Sequence, residues 1–250
     1  MKAFKLVGVA AAAALVLLTS CLGEGNNSFS NQGFGVGTVN EKSYKTVLST
    51  PFGALYSPTV SILPDVCYYA AFEVDLSSAE NANAATNGYS VATISGLQEI
   101  EKGTANFYVT PDTTTLLDKE LVIKDMVTGS YIEKYIFLGT SFDARKNQVN
   151  RYQLYWNQTD SVTTENGIST YSLFLRGQKS NVGTGETSTS TSEFRAFKIG
   201  DVLEPIMKKE GKKGAEKFNL KINYLSSINE KDSTDLTWSS LKVECGTIKE

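Results

Sequence analysis

Residues 218–224 carry the clearest structural signal in the 250-residue sequence, Phe218-Asn219-Leu220-Lys221-Ile222-Asn223-Tyr224. Apolar and polar side chains alternate strictly along this stretch. Because successive side chains of a β-strand point to opposite faces, the alternation predicts a strand with one face in the core and one in water. Strands of this kind are typical of antiparallel sheets, so an antiparallel sheet is predicted here.

The same period of two recurs elsewhere in the chain. Residues 151–157 and 169–176 alternate in the same way, whereas residues 131–138 carry apolar side chains on both faces. The first two runs predict strands with one wet face, and the third predicts a strand covered on both sides. Helical periodicity is scarce, and the predicted fold class is therefore all-β.

One short helix is predicted between Asp201 and Gly211. Asp201 followed by Glu204 resembles a capping arrangement, and Pro205 falls in the first turn, where its missing N–H is not needed. Gly211 is a natural stop for a helix. We expect this helix to cover one edge or end of the C-terminal sheets.

A domain boundary is predicted near residues 101–103. A compact set of strand-like runs precedes it, and a longer set with polar loops follows. Residues 34–102 are therefore assigned to one β domain and residues 103–250 to a second.

The N-terminus has the layout of an export signal. Lys2 and Lys5 precede or flank the start of an apolar, Ala-rich run, residues 6–18, which is too short to span a bilayer comfortably. A plain signal peptide and a transmembrane anchor are the alternatives. Small residues before Cys21 favour a third interpretation.

The run Leu18-Thr19-Ser20-Cys21 resembles the lipobox of bacterial lipoproteins. The resemblance implies that residues 1–20 are removed and that Cys21 carries acyl chains that bind the membrane. Residues 21–33 are rich in Gly, Asn and Ser and are predicted to form a flexible tether. The expected location is the bacterial cell envelope, at the outer membrane, with the periplasmic and surface faces both open.

Charge and composition exclude several classes of function. The net charge is −3, and removal of the two signal lysines makes it more negative, which argues against a nucleic-acid partner. The chain has no histidine, which excludes Ser-His-Asp machinery and the usual His-based zinc sites. Cys67 and Cys245 are a candidate disulfide, with a buried thiol as the alternative. No metal site or cofactor is predicted.

The absence of histidine leaves a carboxylate pair and a Ser–Lys dyad open, and a carboxylate pair would use two residues from a set spread through loops and strands: Asp112, Asp118, Glu120 and Asp125. Solvation at strand edges is the simpler interpretation of these residues. Three aromatic residues are candidates for a ligand-facing platform: Tyr155, Trp156 and Trp238. Tyr155 and Trp156 are neighbours on a predicted strand and should point to opposite faces.

Three runs resemble NigD-like lipoproteins of Bacteroidetes, namely residues 66–75, 94–103 and 171–176, together with the lipobox and short tether. The resemblance implies a small OB-like N-terminal β-barrel followed by a C-terminal β-sandwich with the one short helix. It carries no diagnostic catalytic motif.

The main functional prediction is a non-enzymatic, lipid-anchored envelope protein that binds or scaffolds a protein partner. A surface glycan-binding lipoprotein is the alternative, and a fimbrial or adhesin-type subunit is a third. The glycan-binding alternative predicts that Trp and Tyr side chains line up on an exposed face of a sheet.

Overall fold

The computed structural model describes residues 5–6, 27–157, 162–186, 190–229 and 232–248. Cys21 and nearly all of the predicted signal peptide lie outside these residues. The described chain forms two compact units that divide in sequence between Glu101 and Lys102. Lys5–Leu6 forms a two-residue strand, β1, that belongs to the second unit. No helix among the described residues is long and apolar enough to cross a membrane.

The first unit contains one six-stranded sheet, made of β2 (Ser28–Val39), β3 (Thr46–Thr50), β4 (Gly53–Tyr56), β5 (Cys67–Asp75), β6 (Ser90–Val91) and β7 (Thr93–Ile100). The strand order across the sheet is β6-β4-β3-β2-β5-β7. Neighbouring strands are antiparallel except β4 and β6, which are parallel. A 3-10 helix (Ala79–Asn81) and α1 (Ala84–Asn87) precede β6.

Side chains from one face of this sheet form a core of their own, including Leu48, Leu55, Ala70, Phe72 and Val74. In β5, alternate residues are buried because successive side chains point to opposite faces. Burial of this apolar area, at about 25 cal/mol per Å², is the main stabilising contribution to the unit.

Residues 28–33 correct one expectation. They were predicted to belong to a flexible tether, but they form the first half of β2 and pair with residues 70–75 of β5. The Phe29 ring packs edge-on against Phe72, with centroids 6.3 Å apart. Low local hydrophobicity suggested a tether, but backbone hydrogen bonds to β5 and this ring contact give the segment its order.

The second unit contains an eight-stranded sheet, made of β1 together with β8 (Thr104–Phe107), β9 (Glu120–Leu121), β12 (Val149–Trp156), β13 (Thr163–Glu165), β14 (Ile168–Asn181), β16 (Lys217–Asn229) and β17 (Asp232–Gly246). The strand order is β1-β17-β16-β14-β12-β8, and β9 and β13 also pair with β14. The β8–β12, β14–β16 and β1–β17 pairs are parallel.

A three-stranded antiparallel sheet lies against the eight-stranded one. It consists of β10 (Asp125–Ile132), β11 (Tyr135–Asp143) and β15 (Ser190–Lys198), with β11 in the middle. Both sheets contribute to a single core, for example Leu138 and Phe197 from the small sheet and Leu173 and Ile222 from the large one. The predicted all-β class and the C-terminal sandwich are confirmed. Residues 131–138 were predicted to form one strand covered on both faces, but Glu133 and Lys134 form the turn between β10 and β11, and only residues 135–138 lie in the nearly continuous buried run of β11.

The predicted helix is present as α2 (Gly200–Lys212), and its apolar side chains Val202, Leu203, Ile206 and Met207 belong to the same core. Its ends differ from the prediction. The Asp201 side chain does not cap the helix but accepts a hydrogen bond from Lys134 Nζ at 2.8 Å. Gly211 does not end the helix: a Cβ there would lie 2.1 Å from the Ile248 carbonyl oxygen. The glycine is required because the C-terminal segment passes close to the helix.

The cysteines do not form the candidate disulfide. Cys67 lies in β5 of the first unit and Cys245 in β17 of the second, and neither forms a disulfide bond. Both side chains are buried. Each occupies an inward position of its strand, which is the alternative that the sequence left open.

Candidate ligand-binding site

Strand alternation separates two of the aromatic candidates. In β12 the side chains of Tyr152, Leu154 and Trp156 point into the core, whereas Gln153 and Tyr155 lie on the opposite, outer face of the eight-stranded sheet. Trp156 is only 1% exposed. The expectation that Trp156 faces a ligand is therefore wrong, because it shares the parity of the core positions.

Three half-buried aromatic side chains lie near one another on the outer face. Tyr155 in β12 is the register partner of Phe174 in β14. The Phe174 ring meets Trp238 of β17 edge-on, with centroids 5.9 Å apart and planes at 81°. We call Tyr155, Phe174 and Trp238 the aromatic row. Two of these residues were candidates from the sequence, and their adjacency through Phe174 was not.

Phe174 was missed although a signal for it exists. It lies between Leu173 and Leu175 in a predicted strand, so alternation assigns it to the opposite, solvent side. A large aromatic residue at a solvent-side position is worth noting for that reason. Only the strand register shows that it bridges β12 and β17.

Amide side chains border the row. Asn223 is the register partner of Phe174, and its Nδ2 donates to the Leu173 carbonyl at 2.9 Å. Gln153 lies two residues before Tyr155, and the Tyr155 hydroxyl donates to Gln153 Oε1. The rings are thus flanked by groups that both donate and accept hydrogen bonds.

The segment of residues 108–119 borders the same face, and we call it the border segment. Trp238 Nε1 donates to the Thr113 carbonyl at 3.1 Å, which fixes the segment against the indole. Tyr108, at its start, donates its backbone N–H to the Trp156 carbonyl and has a side chain that is 69% exposed. Tyr108 is therefore an exposed aromatic residue next to the end of β12.

Arg176 holds the border segment from beneath. Its Nη1 donates to the Asp112 carbonyl at 2.6 Å and its Nη2 to the Thr115 carbonyl at 2.8 Å. Its Nε donates to Glu120 Oε1 at 2.7 Å, and the guanidinium lies 5.7 Å from the centre of the Trp238 ring. A rigid planar guanidinium suits this set of fixed acceptors. The segment is consequently ordered before any ligand arrives.

The candidate catalytic carboxylates occupy separate environments. Asp112 Oδ1 accepts hydrogen bonds from the Thr114 hydroxyl and N–H, and such hydrogen bonds, from Thr114 and then Thr115, lower the pKa of Asp112 to about 2. Glu120 is buried against Arg176, while Asp118 and Asp125 are exposed. Among the described residues, no group of three or more acidic or cysteine side chains is placed to hold a metal ion.

Another buried carboxylate, Glu210, connects α2 to the large sheet. It accepts hydrogen bonds from Tyr171 Oη at 2.6 Å, Ser169 Oγ at 2.9 Å and Lys213 Nζ at 2.7 Å. Burial opposes ionisation, but these three hydrogen bonds outweigh it, so the pKa of Glu210 lies below its usual value. All its acceptor capacity serves contacts within the protein, and its role is to anchor the helix.

Taken together, these features define a two-unit β protein with an N-terminal sheet unit and a C-terminal sandwich that presents an aromatic outer face. Residues 25–98 match the family described as the lipoprotein OB domain. The match confirms the OB-like character predicted for the N-terminal unit, and it implies a location in the cell envelope. No curated protein matches the sequence.

Solved structures from Bacteroidetes share the fold. An uncharacterized protein from Parabacteroides merdae is 25% identical, with a TM-score of 0.75 over 86% of this chain and 98% of that one. A putative lipoprotein from Bacteroides fragilis is 14% identical, with a TM-score of 0.55 over 86% and 97% of the two chains. A NigD-like immunity protein from Bacteroides caccae is 11% identical, with a TM-score of 0.49 over 85% and 95%.

The match over residues 25–98 supports the lipoprotein part of the predicted resemblance, and the structures from Parabacteroides merdae and Bacteroides fragilis share the fold of this chain. None of the matched families or structures named above is described as catalytic. The lipoprotein OB-domain match supports a lipoprotein, and the aromatic row is the feature of this chain that suggests a ligand.

Proposed function

We propose that this protein is a lipid-anchored, non-catalytic binding protein of the cell envelope, and that the outer face of its C-terminal sandwich binds a glycan. The observation that carries the proposal is the aromatic row of Tyr155, Phe174 and Trp238. Cys21 carries the acyl chains, and two or more such chains hold a protein stably on a membrane.

Aromatic rings with polar borders suit sugars because a sugar ring has an apolar C–H face and a rim of hydroxyl groups. A half-exposed ring offers apolar area for the first, and the amides of Gln153 and Asn223 offer hydrogen bonds for the second. The border segment is already fixed by Arg176 and Trp238, so little ordering entropy is lost on binding.

The decisive experiment compares variants on a panel of immobilised polysaccharides, using the full lipidated protein in detergent. Tyr155→Ala removes one ring of the aromatic row and Tyr108→Ala removes the exposed aromatic side chain next to the end of β12, and we expect their combination to weaken binding about tenfold or more, the scale of one or two stacking contacts. Tyr44→Ala is the matched control, because Tyr44 is 84% exposed but lies in the first unit. Binding that is equally weakened by both variants, or absent from every polysaccharide, contradicts the proposal.

Binding of a protein partner is the second candidate function, and the first unit carries its support. Large apolar side chains are exposed there, including Tyr44 at 84%, Leu63 at 56% and Phe52 at 44%. OB-like barrels bind through one face and its loops. Cross-linking in the native host tests it: a partner captured by the wild type and lost in Tyr44→Ala would favour this function over glycan binding.

Lipid attachment has its own test. Metabolic labelling with a fatty acid in the native host should label the wild type, and Cys21→Ser should abolish the label. Protease treatment of intact cells then distinguishes a surface position from a periplasmic one, since only an exposed protein is degraded.

A further inference from the structure

A cleft of about 360 Å³ lies in the second unit, where three segments of the chain meet. Four cationic side chains and one carboxylate line it: Lys119, Lys124, Arg145, Lys179 and Asp143. We call it the basic cleft. The whole chain has a net charge of −3, so this local excess of positive charge runs against the overall balance.

Contacts within the protein leave most of that charge uncompensated. Lys124 pairs with Asp143 at 2.7 Å, which accounts for the one carboxylate in the lining. Lys119 lies 3.9 Å from Asp118, whose side chain is 85% exposed and therefore well screened by water. Among the described residues, neither the Arg145 guanidinium nor the Lys179 ammonium group has an ion-pair partner.

Backbone hydrogen bonds fix the walls of the cleft. The Lys179 N–H donates to the Lys119 carbonyl at 2.9 Å, and the Thr184 N–H donates to the Lys146 carbonyl at 2.9 Å. Gly183 makes the second contact possible, because it has a φ of +72° and a Cβ there would lie 2.6 Å from the Lys146 oxygen. The cations therefore project from a framework that is already formed.

The lining also has an apolar part. Leu121 is 1% exposed, and Val182 at the opposite wall is 41% exposed. Several cations that line one cleft add their fields, which raises the local concentration of anions. The apolar walls suit a ligand in which a short carbon skeleton carries the anionic group.

From these observations we infer that the basic cleft binds the oxyanion group of a small ligand, either a carboxylate, a sulfate or a phosphate. Arg145 supplies a planar fork that can donate two parallel hydrogen bonds, and Lys179 supplies a point charge. Lys124 remains paired with Asp143, so it adds to the positive potential of the cleft only close to its ammonium group. This site is separate from the aromatic row, and it does not depend on the proposed glycan binding.

The test measures binding of sodium sulfate, inorganic phosphate and glucuronate to the full protein by isothermal titration calorimetry at low ionic strength. We expect saturable millimolar binding of at least one probe. The combined variant Arg145→Gln/Lys179→Gln should weaken it about tenfold, the scale of one lost charge-assisted contact. Because both side chains reach solvent, the thermal melting curve should stay unchanged.

Lys208→Gln/Lys209→Gln is the matched control. It removes the same charge from exposed positions of α2, away from the cleft lining. We expect it to change affinity by about twofold at most, through the overall field alone. An equal loss in both variants, or no saturable binding of any probe to the wild type, overturns the inference.

A vesicle experiment distinguishes a free anion from a lipid headgroup. The Cys21→Ser protein, which has no acyl chains to bind it to every vesicle, is mixed with phosphatidylcholine vesicles with and without phosphatidylglycerol, which present phosphate groups on a surface. Binding to the anionic vesicles that is lost in Arg145→Gln/Lys179→Gln and kept in the control variant supports the cleft with a headgroup as its source. Binding of the free probes without vesicle binding supports a soluble anion.

Discussion

Arg176 and Glu120 form a two-point ion pair inside the second unit. Arg176 Nε donates to Glu120 Oε1 at 2.7 Å, and Nη2 donates to Oε2. The two side chains are only 3% and 2% exposed. Arg176 lies in β14 and Glu120 in β9, and the guanidinium also binds the Asp112 and Thr115 carbonyls, so one residue connects the sheet to the border segment.

The first prediction concerns the stability that depends on this pair. Arg176→Met keeps much of the side-chain volume but leaves Glu120 buried without its cation, and we expect a loss of about 3–5 kcal/mol in the free energy of unfolding. Urea unfolding measures it. Lys134→Met is the control, because its pair with Asp201 is 47% and 69% exposed, is screened by water and should change the free energy of unfolding far less. Similar losses in the two variants would contradict the assignment.

The second prediction concerns pH. Because its pKa is lowered from the ordinary value of 3.8 to about 2, Asp112 stabilises the folded state above pH 3.8, and this contribution is lost as the pH falls through about 2. Thr114→Ala removes the leading hydrogen bond and should raise the pKa of Asp112 towards 3.8. An NMR titration of the Asp112 carboxyl measures it. Thr113→Ala is the control, because Thr113 contacts Trp238 through its backbone carbonyl, and an alanine keeps that carbonyl. An unshifted midpoint in Thr114→Ala would rule out the explanation.

The third prediction compares two glycines of β2. A Cβ on Gly37 would lie 2.0 Å from the Leu63 carbonyl oxygen, whereas a Cβ on Gly33 would meet nothing within 4 Å. Gly37→Ala must therefore displace backbone and should destabilise the first unit by about 1–3 kcal/mol. Gly33→Ala should be neutral or stabilising by about 0.4–1 kcal/mol, because alanine restricts the unfolded chain. Thermal unfolding followed by circular dichroism measures both, and the reverse ranking would refute the packing argument.

The fourth prediction concerns the thiols. Burial, with a smaller effect from the charge of Glu244, raises the pKa of Cys245 to about 12, so the thiolate is almost absent at pH 8. We expect the folded protein to resist iodoacetamide and the unfolded protein to expose two thiols, Cys67 and Cys245, with the proposed Cys21 thiol blocked by lipid. Mass spectrometry counts the alkyl groups. Thiols that appear only after reduction would show a disulfide instead.

Local sequence patterns are enough to predict much of this fold. The alternation at residues 218–224 predicted a strand, and Phe218, Leu220 and Ile222 are fully buried in β16. The period of two in residues 151–157 correctly predicted which side chains share a face. The helix over residues 201–211 was also predictable, because helical signals depend only on neighbours along the chain.

Contacts between distant residues account for what the sequence did not show. Residues 28–33 have the composition of a tether, yet pairing with β5 makes them a strand. Asp201 has the spacing of a helix cap, yet Lys134, which is distant in sequence, engages its carboxylate. For residues 28–33, backbone hydrogen bonds to a distant strand outweigh the weak local preference of a polar segment, and Asp201 cannot cap α2 because the helix already begins at Gly200.

The sequence by itself determined the all-β class, the α2 helix and the division of strand positions into inner and outer faces, because each follows from the period of neighbouring side chains. Only the tertiary structure decided that Tyr155, Phe174 and Trp238 form one row and that Arg176 meets Glu120. The reason is strand register: which residues of two strands face each other depends on pairing across the sheet, and the sequence of either strand alone leaves that choice open.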